Sequence, residues 1–247
     1  MRPMRRAVVT GGGRGIGRAV AAALSAAGHE VTVLGRAESL LQETVKAGAA
    51  VAYHLVDVAD ERALSACLDG IGAVDILVNN AGIADSAPFA KTDLAFFRRL
   101  MAVNFESVVI AAHAVLPGMI TRGFGRIVSI ASVAGLKGYP YVSAYVASKH
   151  AVVGLTRSLA QEVAKAGVTV NAVCPGYVDT DLVSNSTARI AARTGRPAGD
   201  VAREFIKDNP QGRLITPAEV ADTILWLAGD LASAVNGQAI AITGGES

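Results

Sequence analysis

The fold is constrained most by the alternation of short β-branched runs with longer segments of helical periodicity. The runs predicted as buried strands are 6–10, 30–35, 50–56, 75–79, 126–131, 168–173 and 238–243. Between them, segments such as 15–27, 60–70, 93–121 and 145–166 carry apolar residues at helical spacing. This alternation favours right-handed crossovers and a parallel sheet covered by helices on both faces. We therefore predict a doubly wound α/β fold with three layers and about seven strands.

No linker, repeat or low-complexity tract divides the 247 residues, so we predict one domain over 1–247. The more polar segment 182–213 follows the predicted strand at 168–173 and contains several Gly and Pro residues. A long insertion after the carboxyl end of a strand is typical of a substrate lid, and the alternative is a solvated helical excursion. The next helix is expected to begin at TPAE, residues 216–219, which is a capping-box pattern.

Charge and cysteine content narrow the possible partners. Charged residues make up only 18% of the chain and the net charge is +2, so a basic surface for nucleic acid or membrane lipid is not expected. Cys67 and Cys174 show no metal-ligand spacing, which favours buried thiols in a reducing compartment and no metal site. Glycines interrupt the apolar run after the basic start, and no apolar stretch reaches membrane-spanning length. These features predict a soluble cytoplasmic protein.

A glycine-rich turn follows the first predicted strand. TGGGRGIG, residues 10–17, opens the next helix, an arrangement that directs backbone N–H groups and a helix N-terminus toward a diphosphate. Ile16 stands where G-x-G-x-x-G requires its last glycine, so the spacing met is Gly11-x-x-x-Gly15-x-Gly17. The alternative is that these glycines only form a turn. We predict a dinucleotide site here.

The end of the second predicted strand bears on the choice of dinucleotide. NAD-binding folds place a carboxylate there to bind the adenosine ribose 2′-hydroxyl. This strand instead ends in VLGR, with Arg36 and no acid, and Arg14 lies in the glycine turn. Guanidinium groups bind a phosphate dianion through charge-assisted hydrogen bonds. The pattern favours NADP over NAD.

Tyr145 and Lys149 lie four residues apart in the predicted helix 145–166, so their side chains share one face. A free Tyr has a pKa of about 10 and is a weak acid–base group at neutral pH. An adjacent ammonium would stabilise the phenolate and lower the pKa of Tyr145. The pair is therefore expected to act as a proton donor with its own tuning charge.

Seven motifs in chain order carry a resemblance to a known family. They are TGGGRGIG (10–17), DV (57–58), NNAG (79–82), VNFES (103–107), IASVAG (130–135), YVASK (145–149) and NAVCPG (171–176). With these motifs the chain resembles the short-chain dehydrogenase/reductase family over essentially its whole length. The resemblance implies a single Rossmann-type NAD(P)-binding domain and an enzyme that interconverts carbonyls and alcohols.

The resemblance also implies roles for individual residues. Tyr145 would be the general acid toward a carbonyl, and Ser132 would orient and polarise its oxygen. Lys149 would hold the nicotinamide ribose. Asn104 would place a water that links Lys149 to solvent; alternatively, it only kinks its helix. The residues expected to bind NADP(H) are Gly11, Gly13, Arg14, Gly15, Ile16, Gly17, Arg36, Asp57, Val58, Asn79, Ala81, Gly82, Tyr145, Lys149, Pro175, Gly176, Val178 and Thr180.

The substrate is less constrained than the reaction. The stretch from 143 to 180 is similar to ketoreductases of fatty-acid and polyketide pathways, which makes a 3-oxoacyl thioester on CoA or an acyl carrier protein the first hypothesis. The second is a small ketone or secondary alcohol without a thioester. The third is a nucleotide sensor without catalysis, against which the intact Ser132, Tyr145 and Lys149 argue. Small and apolar residues beyond one core stripe in helices 93–121 and 145–166, with family precedent, predict a homotetramer.

Overall fold

A seven-stranded parallel sheet forms the centre of the protein. The computed structural model describes residues 4–207 and 209–246, without the side chain of Leu182. Within these residues the strands are β1 (Arg6–Thr10), β2 (Glu30–Gly35), β3 (Ala52–Leu55), β4 (Ile76–Asn79), β5 (Gly125–Ile130), β6 (Val168–Pro175) and β7 (Ala239–Ile242). Their order is β3-β2-β1-β4-β5-β6-β7, and every neighbouring pair is parallel.

Helices follow most strands. Over the same described residues the α-helices are α1 (Gly15–Ala26), α2 (Glu38–Lys46), α3 (Glu61–Ile71), α4 (Leu94–Met101), α5 (Ser107–Arg122), α6 (Ser143–Val163), α7 (Asp181–Thr194), α8 (Ala198–Ile206) and α9 (Pro217–Ala228). A π-helical turn, Ala102–Glu106, joins α4 to α5. Short 3₁₀ turns lie at Phe89–Lys91, Val133–Gly135, Ala164–Ala166 and Asp230–Ala232.

The sheet buries an apolar layer on each face. Along β1, Ala7 and Val9 point to one face and Val8 to the other, as the two-residue period of a strand requires. The first layer packs against α1, α2 and α9, and the second against α3, α5 and α6. Strands buried on both faces read as continuous apolar runs, which is why the sequence identified them. The predicted three-layer, doubly wound fold is confirmed.

The strand order reverses direction between β1 and β4. From β1 the chain proceeds outward to β3, and from β4 it proceeds outward on the other side to β7. In open α/β sheets the crevice at such a reversal, beyond the carboxyl ends of the strands, is the usual ligand site. The glycine turn after β1 and the NNAG segment after β4 meet at this crevice.

The predicted elements differ from the structure in three places. The helix predicted at 93–121 is divided by the π-helical turn, and α2 lies in a segment for which no helix was specified. The segment 182–213 contains most of α7 and all of α8, and Asp208 within it lies outside the described residues. The predicted helix start is confirmed, because Thr216 and Glu219 form a complete capping box at α9.

One helical stretch, Leu94–Arg122, is long and apolar enough by composition alone to cross a membrane. This is weak support for a membrane span, because core helices of soluble proteins satisfy the same criterion. Here the stretch includes the π-helical turn, and Ala111, Val115 and Met119 of α5 pack into the apolar layer beside α3.

Candidate active site

Helix α6 carries Tyr145 and Lys149 on the face that meets the sheet. The side chain of Lys149 is buried, and its Nζ donates a hydrogen bond of 2.7 Å to the carbonyl oxygen of Ile130 at the end of β5. The same Nζ lies 5.7 Å from the centroid of the Tyr145 ring. The predicted shared face is confirmed, and the packing of α6 on β5 and β6 fixes both side chains at the carboxyl edge of the sheet.

Ser132 reaches the same place from the loop after β5. It caps the 3₁₀ turn Val133–Gly135, accepting a hydrogen bond of 3.1 Å from the backbone N–H of Ala134. Gly135 allows this turn to press against α6, because a Cβ there would lie 2.8 Å from the carbonyl oxygen of Lys149. The Ser132 hydroxyl is hydrogen-bonded to the phenol of Tyr145. The structure thus brings together the predicted Ser132, Tyr145 and Lys149.

The pKa of Tyr145 differs from the sequence expectation. Burial raises the pKa of the phenol above its usual value, and the hydrogen bond with Ser132 opposes this shift only in part. The expected lowering by Lys149 was wrong for this structure, because desolvation has the largest effect on the pKa of the phenol and the Lys149 ammonium donates its hydrogen bond to Ile130. The phenol therefore keeps its proton at neutral pH.

Lys149 experiences the same burial with the opposite effect on its pKa. Desolvation disfavours the ammonium and lowers the pKa of Lys149 to about 8, against a smaller raising effect from the neighbouring Cys174. Burial also raises the pKa of the Cys174 thiol, which lies wholly inside the protein at the end of β6. Both cysteines are unpaired thiols, Cys174 buried and Cys67 partly buried, so the predicted buried thiol is confirmed for Cys174.

Asn104 lies buried in the π-helical turn between α4 and α5. Its Oδ1 accepts a hydrogen bond of 2.8 Å from the N–H of Ile83, and its Nδ2 donates to the Ile83 carbonyl (2.9 Å) and to Ser148 Oγ (3.0 Å). A Cβ at Gly82 would lie 3.3 Å from Asn104 Oδ1 and 3.7 Å from Lys149 Nζ. Asn104 thus anchors the loop after β4 beside Lys149, and π-helical turns of this kind are frequent at functional sites.

The glycine turn approaches the loop after β4 too closely for side chains. Gly11 has φ +66°, and a Cβ at Gly17 would lie 2.3 Å from the Gly11 carbonyl oxygen and 2.5 Å from Asn80 Nδ2. Asn80 Nδ2 donates hydrogen bonds to the carbonyls of Thr10 and Gly11. These contacts hold the first turn of α1 at the crevice between β1 and β4.

The start of α1 fits the diphosphate of a dinucleotide. Arg14 precedes the helix without a side-chain cap, and the first turn contains no acidic residue. The backbone N–H groups of a helix N-terminus need acceptors, and an anion satisfies them while interacting favourably with the helix dipole. The residues present therefore fit the phosphates of a nicotinamide cofactor.

The two arginines expected to select the cofactor form ion pairs with acidic residues. Arg14 Nη1 lies 3.5 Å from Asp181 at the start of α7, and Arg36 Nη1 lies 3.5 Å from Asp57 beyond β3. All four side chains are substantially exposed, so each pair contributes little to stability. The guanidinium groups border the crevice from the glycine turn and from the end of β2.

The remaining residues expected at the cofactor lie along the same edge. Val58 is buried after β3, Asn79 ends β4, and Ala81 and Gly82 follow it. Pro175 ends β6, with Gly176 and the buried Val178 beyond. Thr180 occupies the N-cap position of α7 without a side-chain capping hydrogen bond, and a Cβ at Gly15 would lie 3.2 Å from its methyl carbon. Gly13 and Ile16 belong to the turn and first helical residues after β1.

Three positioning residues within quoted motifs were not singled out from the sequence. Ser148 is fully buried; its Oγ donates to the Tyr145 carbonyl and accepts from Asn104. Thr10 Oγ1 accepts hydrogen bonds of 3.0 Å from the backbone N–H groups of Asn80 and Ala81. Asn80 binds the glycine turn in return. Two features of the sequence could have indicated them: Ser148 is a polar residue inside a helix of small residues, and Thr10 is a threonine at the end of a strand.

Comparison with known proteins identifies the family. A family model described as short chain dehydrogenase matches residues 5–191. The chain belongs to the short-chain dehydrogenase family. Members of this family bind a nicotinamide cofactor and act as oxidoreductases.

Relatives of this short-chain dehydrogenase include ketone reductases. An acetoacetyl-CoA reductase from Rhizobium meliloti (strain 1021) is 38% identical, over 98% of this chain and 98% of the relative. A D-beta-hydroxybutyrate dehydrogenase from the same organism is 37% identical over 98% of each chain. The crystal structure of an actinorhodin polyketide ketoreductase variant with NADPH superposes with a TM-score of 0.94 at 34% identity, covering 99% of this chain and 98% of that one. These similarities support ketone reduction.

Proposed function

We propose that this protein is an NADPH-dependent reductase that converts a 3-oxoacyl thioester to the 3-hydroxyacyl thioester. The observation that carries the proposal is the hydrogen-bonded Ser132 and Tyr145 beside Lys149, at the crevice that begins with the glycine turn. The names of the acetoacetyl-CoA reductase and of the polyketide ketoreductase with NADPH support the substrate class and the cofactor.

In the proposed reaction Tyr145 gives a proton to the carbonyl oxygen as that oxygen becomes an alcohol. Burial keeps the phenol protonated, as a general acid must be, and Ser132 supplies a second donor for the negative charge that develops on the oxygen. A bound nicotinamide cofactor supplies the hydride for the carbonyl carbon. In the reverse direction Tyr145 would accept the proton of the alcohol.

Lys149 and Asn104 support Tyr145 in this proposal. Lys149 Nζ would hold the nicotinamide ribose hydroxyls, which also act as acceptors for its buried ammonium. Asn104 fixes the Ile83 backbone next to Lys149, and a water held there would return protons to Lys149. Asp57, Val58, Asn79, Ala81 and Gly82 would bind the adenosine half. Pro175, Gly176, Val178 and Thr180 would bind the nicotinamide half.

The preference for NADPH rests on Arg14 and Arg36. Both guanidinium groups are exposed, border the crevice and already pair with a carboxylate, so each is placed to exchange that partner for a phosphate dianion. No acidic residue ends β2 to bind a ribose 2′-hydroxyl. The same residues would make a poor site for NADH.

The test is cofactor oxidation with acetoacetyl-CoA, using NADPH and NADH in parallel, for the wild type and for Arg36→Ala. We expect the wild type to prefer NADPH and the variant to lose about tenfold of that preference by a higher KM for NADPH alone. Arg98→Ala, on the exposed surface of α4, is the matched control and should leave the preference unchanged. A wild type that prefers NADH would refute the assignment of Arg36.

A dehydrogenase of small hydroxy acids or ketones is the second candidate. The D-beta-hydroxybutyrate dehydrogenase is nearly as similar to this chain as the acetoacetyl-CoA reductase, 37% against 38% identical. A panel containing acetoacetyl-CoA, acetoacetate and cyclic ketones separates the two candidates. The first requires the highest kcat/KM with the thioester, whereas the second requires it with a substrate that has no CoA.

We also propose a substrate lid, a cellular location and an oligomeric state for the enzyme. Helices α7 and α8 would form the substrate lid, and Arg189 of α7, 3.2 Å from Asp85, would hold it to the loop after β4. The lid would close over an acyl chain carried on CoA or an acyl carrier protein. The enzyme would act in the cytoplasm as a homotetramer, without a nucleic-acid or membrane partner.

A further inference from the structure

A buried carboxylate near the end of the chain is not used by the proposed reaction. The side chain of Glu246 is only 5% exposed, and its Oε1 lies 3.2 Å from the Nζ of Lys137. The hydroxyl of Tyr139 donates a hydrogen bond to the same carboxylate. Lys137 Nζ also lies 5.5 Å from the centroid of the Tyr139 ring. These three residues form a charge-neutral group that we call the tail clasp.

The tail clasp joins two segments that flank Tyr145. Lys137 and Tyr139 belong to the loop that runs from Ser132 to the start of α6. On the other side, a Cβ at Gly176 would lie 3.5 Å from Glu246 Oε2, so Glu246 also borders the turn after β6. Cys174 near the end of β6 and Tyr177 beyond Gly176 are close enough to influence the pKa of Tyr145. The clasp therefore lies at the wall of the catalytic crevice.

The charges of the clasp bear on which substrates this wall admits. Glu246 is buried and Lys137 is 38% exposed, so the carboxylate neutralises a lysine that reaches solvent at the wall. When both are ionised, the charge of Glu246 offsets that of Lys137, so this pair offers no net positive charge to a substrate carboxylate. A carboxylate entering the crevice would lose water and gain no charge partner, whereas an ester or thioester carries no charge to desolvate.

We infer that Glu246 determines substrate specificity by neutralising Lys137, so that the site selects uncharged 3-oxoacyl derivatives over free 3-oxo acids. This inference rests on the proposed ketone reduction and adds the charge of the substrate to it. The discrimination depends on a residue that would disfavour the wrong substrate rather than on a new contact to the right one.

The test compares acetoacetate with methyl acetoacetate, which have the same reacting ketone and differ in charge. For the wild type we expect the higher kcat/KM with the ester. Glu246→Gln retains an acceptor for Tyr139 and removes the negative charge, so the ratio of kcat/KM for acid over ester should rise by about tenfold. Lys137→Met leaves Glu246 without this cation, so the same ratio should fall below that of the wild type.

The opposite directions of these two changes separate a charge effect from a structural one. A clasp that only held the loop in place would change both substrates alike in either variant and leave the ratio constant. Glu61→Gln, an exposed carboxylate at the start of α3, is the control for net charge and should keep the wild-type ratio. A ratio within about twofold of the wild type in both clasp variants would overturn the inference.

Binding measurements keep the inference independent of turnover. Dissociation constants for the acid and the ester can be determined by ligand-observed NMR with protein loaded with NADP⁺, which cannot reduce them. Because tighter binding is a smaller dissociation constant, the ratio of dissociation constants for acid over ester should fall in Glu246→Gln and rise in Lys137→Met. If these changes occur without turnover of either compound, the charge selection stands and the proposed reaction fails. If turnover occurs without them, the proposed reaction stands and the inference about Glu246 fails.

Discussion

Burial shifts the pKa values of Tyr145 and Lys149 in opposite directions, yet it favours the uncharged form of both side chains. Desolvation raises the pKa of the phenol and lowers the pKa of Lys149 to about 8, so in both cases the neutral form gains. The hydrogen bond from Lys149 Nζ to the Ile130 carbonyl oxygen is therefore important, because it gives an otherwise costly buried ammonium an acceptor.

The lowered pKa of Lys149 predicts how stability changes with pH. The pKa of about 8 for Lys149 in the folded protein lies below its ordinary value of 10.5, so the unfolded chain binds more protons between these pH values. The free-energy cost of burying the charged Lys149 is complete below pH 8 and disappears as the pH rises toward 10.5. We expect the free energy of unfolding of the wild type, relative to Lys149→Met, to rise by up to about 3 kcal/mol across this window.

The measurement is urea unfolding of both proteins at several pH values. Taking the difference between wild type and variant removes the contributions of Tyr145 and Cys67, whose raised pKa values act in the opposite direction at high pH. A difference that stays constant from neutral pH to pH 10 would contradict the burial of a titrating ammonium at this position.

Among the elements, the first turn of α1 and the loop after β4 depend on each other. Gly17 lies within α1, yet a Cβ there would meet the backbone of Gly11 and the amide of Asn80 rather than solvent. Helical glycines are ordinarily destabilising compared with alanine, so its presence reflects this close approach. The turn that would receive the cofactor phosphates is thus shaped by contacts from another strand.

Substitution of two helical glycines tests this dependence. Gly17→Ala should weaken binding of NADPH by at least about tenfold and lower Tm, because the clash displaces the turn from the crevice. Gly70→Ala, in α3 with open space around the added methyl, is the matched control. It should leave NADPH binding unchanged and stabilise the protein by about 0.5–1 kcal/mol. Thermal unfolding and fluorescence titration with NADPH measure both effects, and equal behaviour of the two variants would contradict the account.

Most of the sheet could be predicted because its strands are short apolar runs buried on both faces, as in EVTVLG for β2. The shared helix face of Tyr145 and Lys149 could be predicted because their spacing is local. The tail clasp and the hydrogen bond from Lys149 to Ile130 could not, since both join segments distant in sequence whose approach depends on the packed fold. The sign of the Tyr145 pKa shift was mistaken for the same reason: charge spacing was visible and burial was not.

For the whole molecule, the outer face of α6 indicates how subunits would associate. Ala147, Gly154 and Ser158 are exposed and Ala151 is partly exposed, and their spacing places them on one side of the helix. Small residues allow close helix approach, and exposed apolar side chains such as Trp226 on α9 mark further surface that would be covered. This supports the proposed homotetramer.

Light scattering during gel filtration tests the assembly. We expect a particle of four times the chain mass of 25.2 kDa at micromolar concentration. Gly154→Arg, which adds a long charged side chain to the outer face of α6, should reduce the mass to that of a dimer. Arg62→Ala on the exposed side of α3 should leave the tetramer intact. A stable wild-type monomer would refute the proposal.

The most direct test of the central claim is the rate of acetoacetyl-CoA reduction by NADPH in the wild type and in Tyr145→Phe. If Tyr145 is the proton donor, the variant should lose about 10²- to 10⁴-fold in kcat, because the ring remains and only the proton-donating hydroxyl is removed. Its dissociation constant for NADPH should stay within about twofold of the wild type. A Tyr145→Phe enzyme that retains wild-type kcat would contradict the assignment of this site as the centre of ketone reduction.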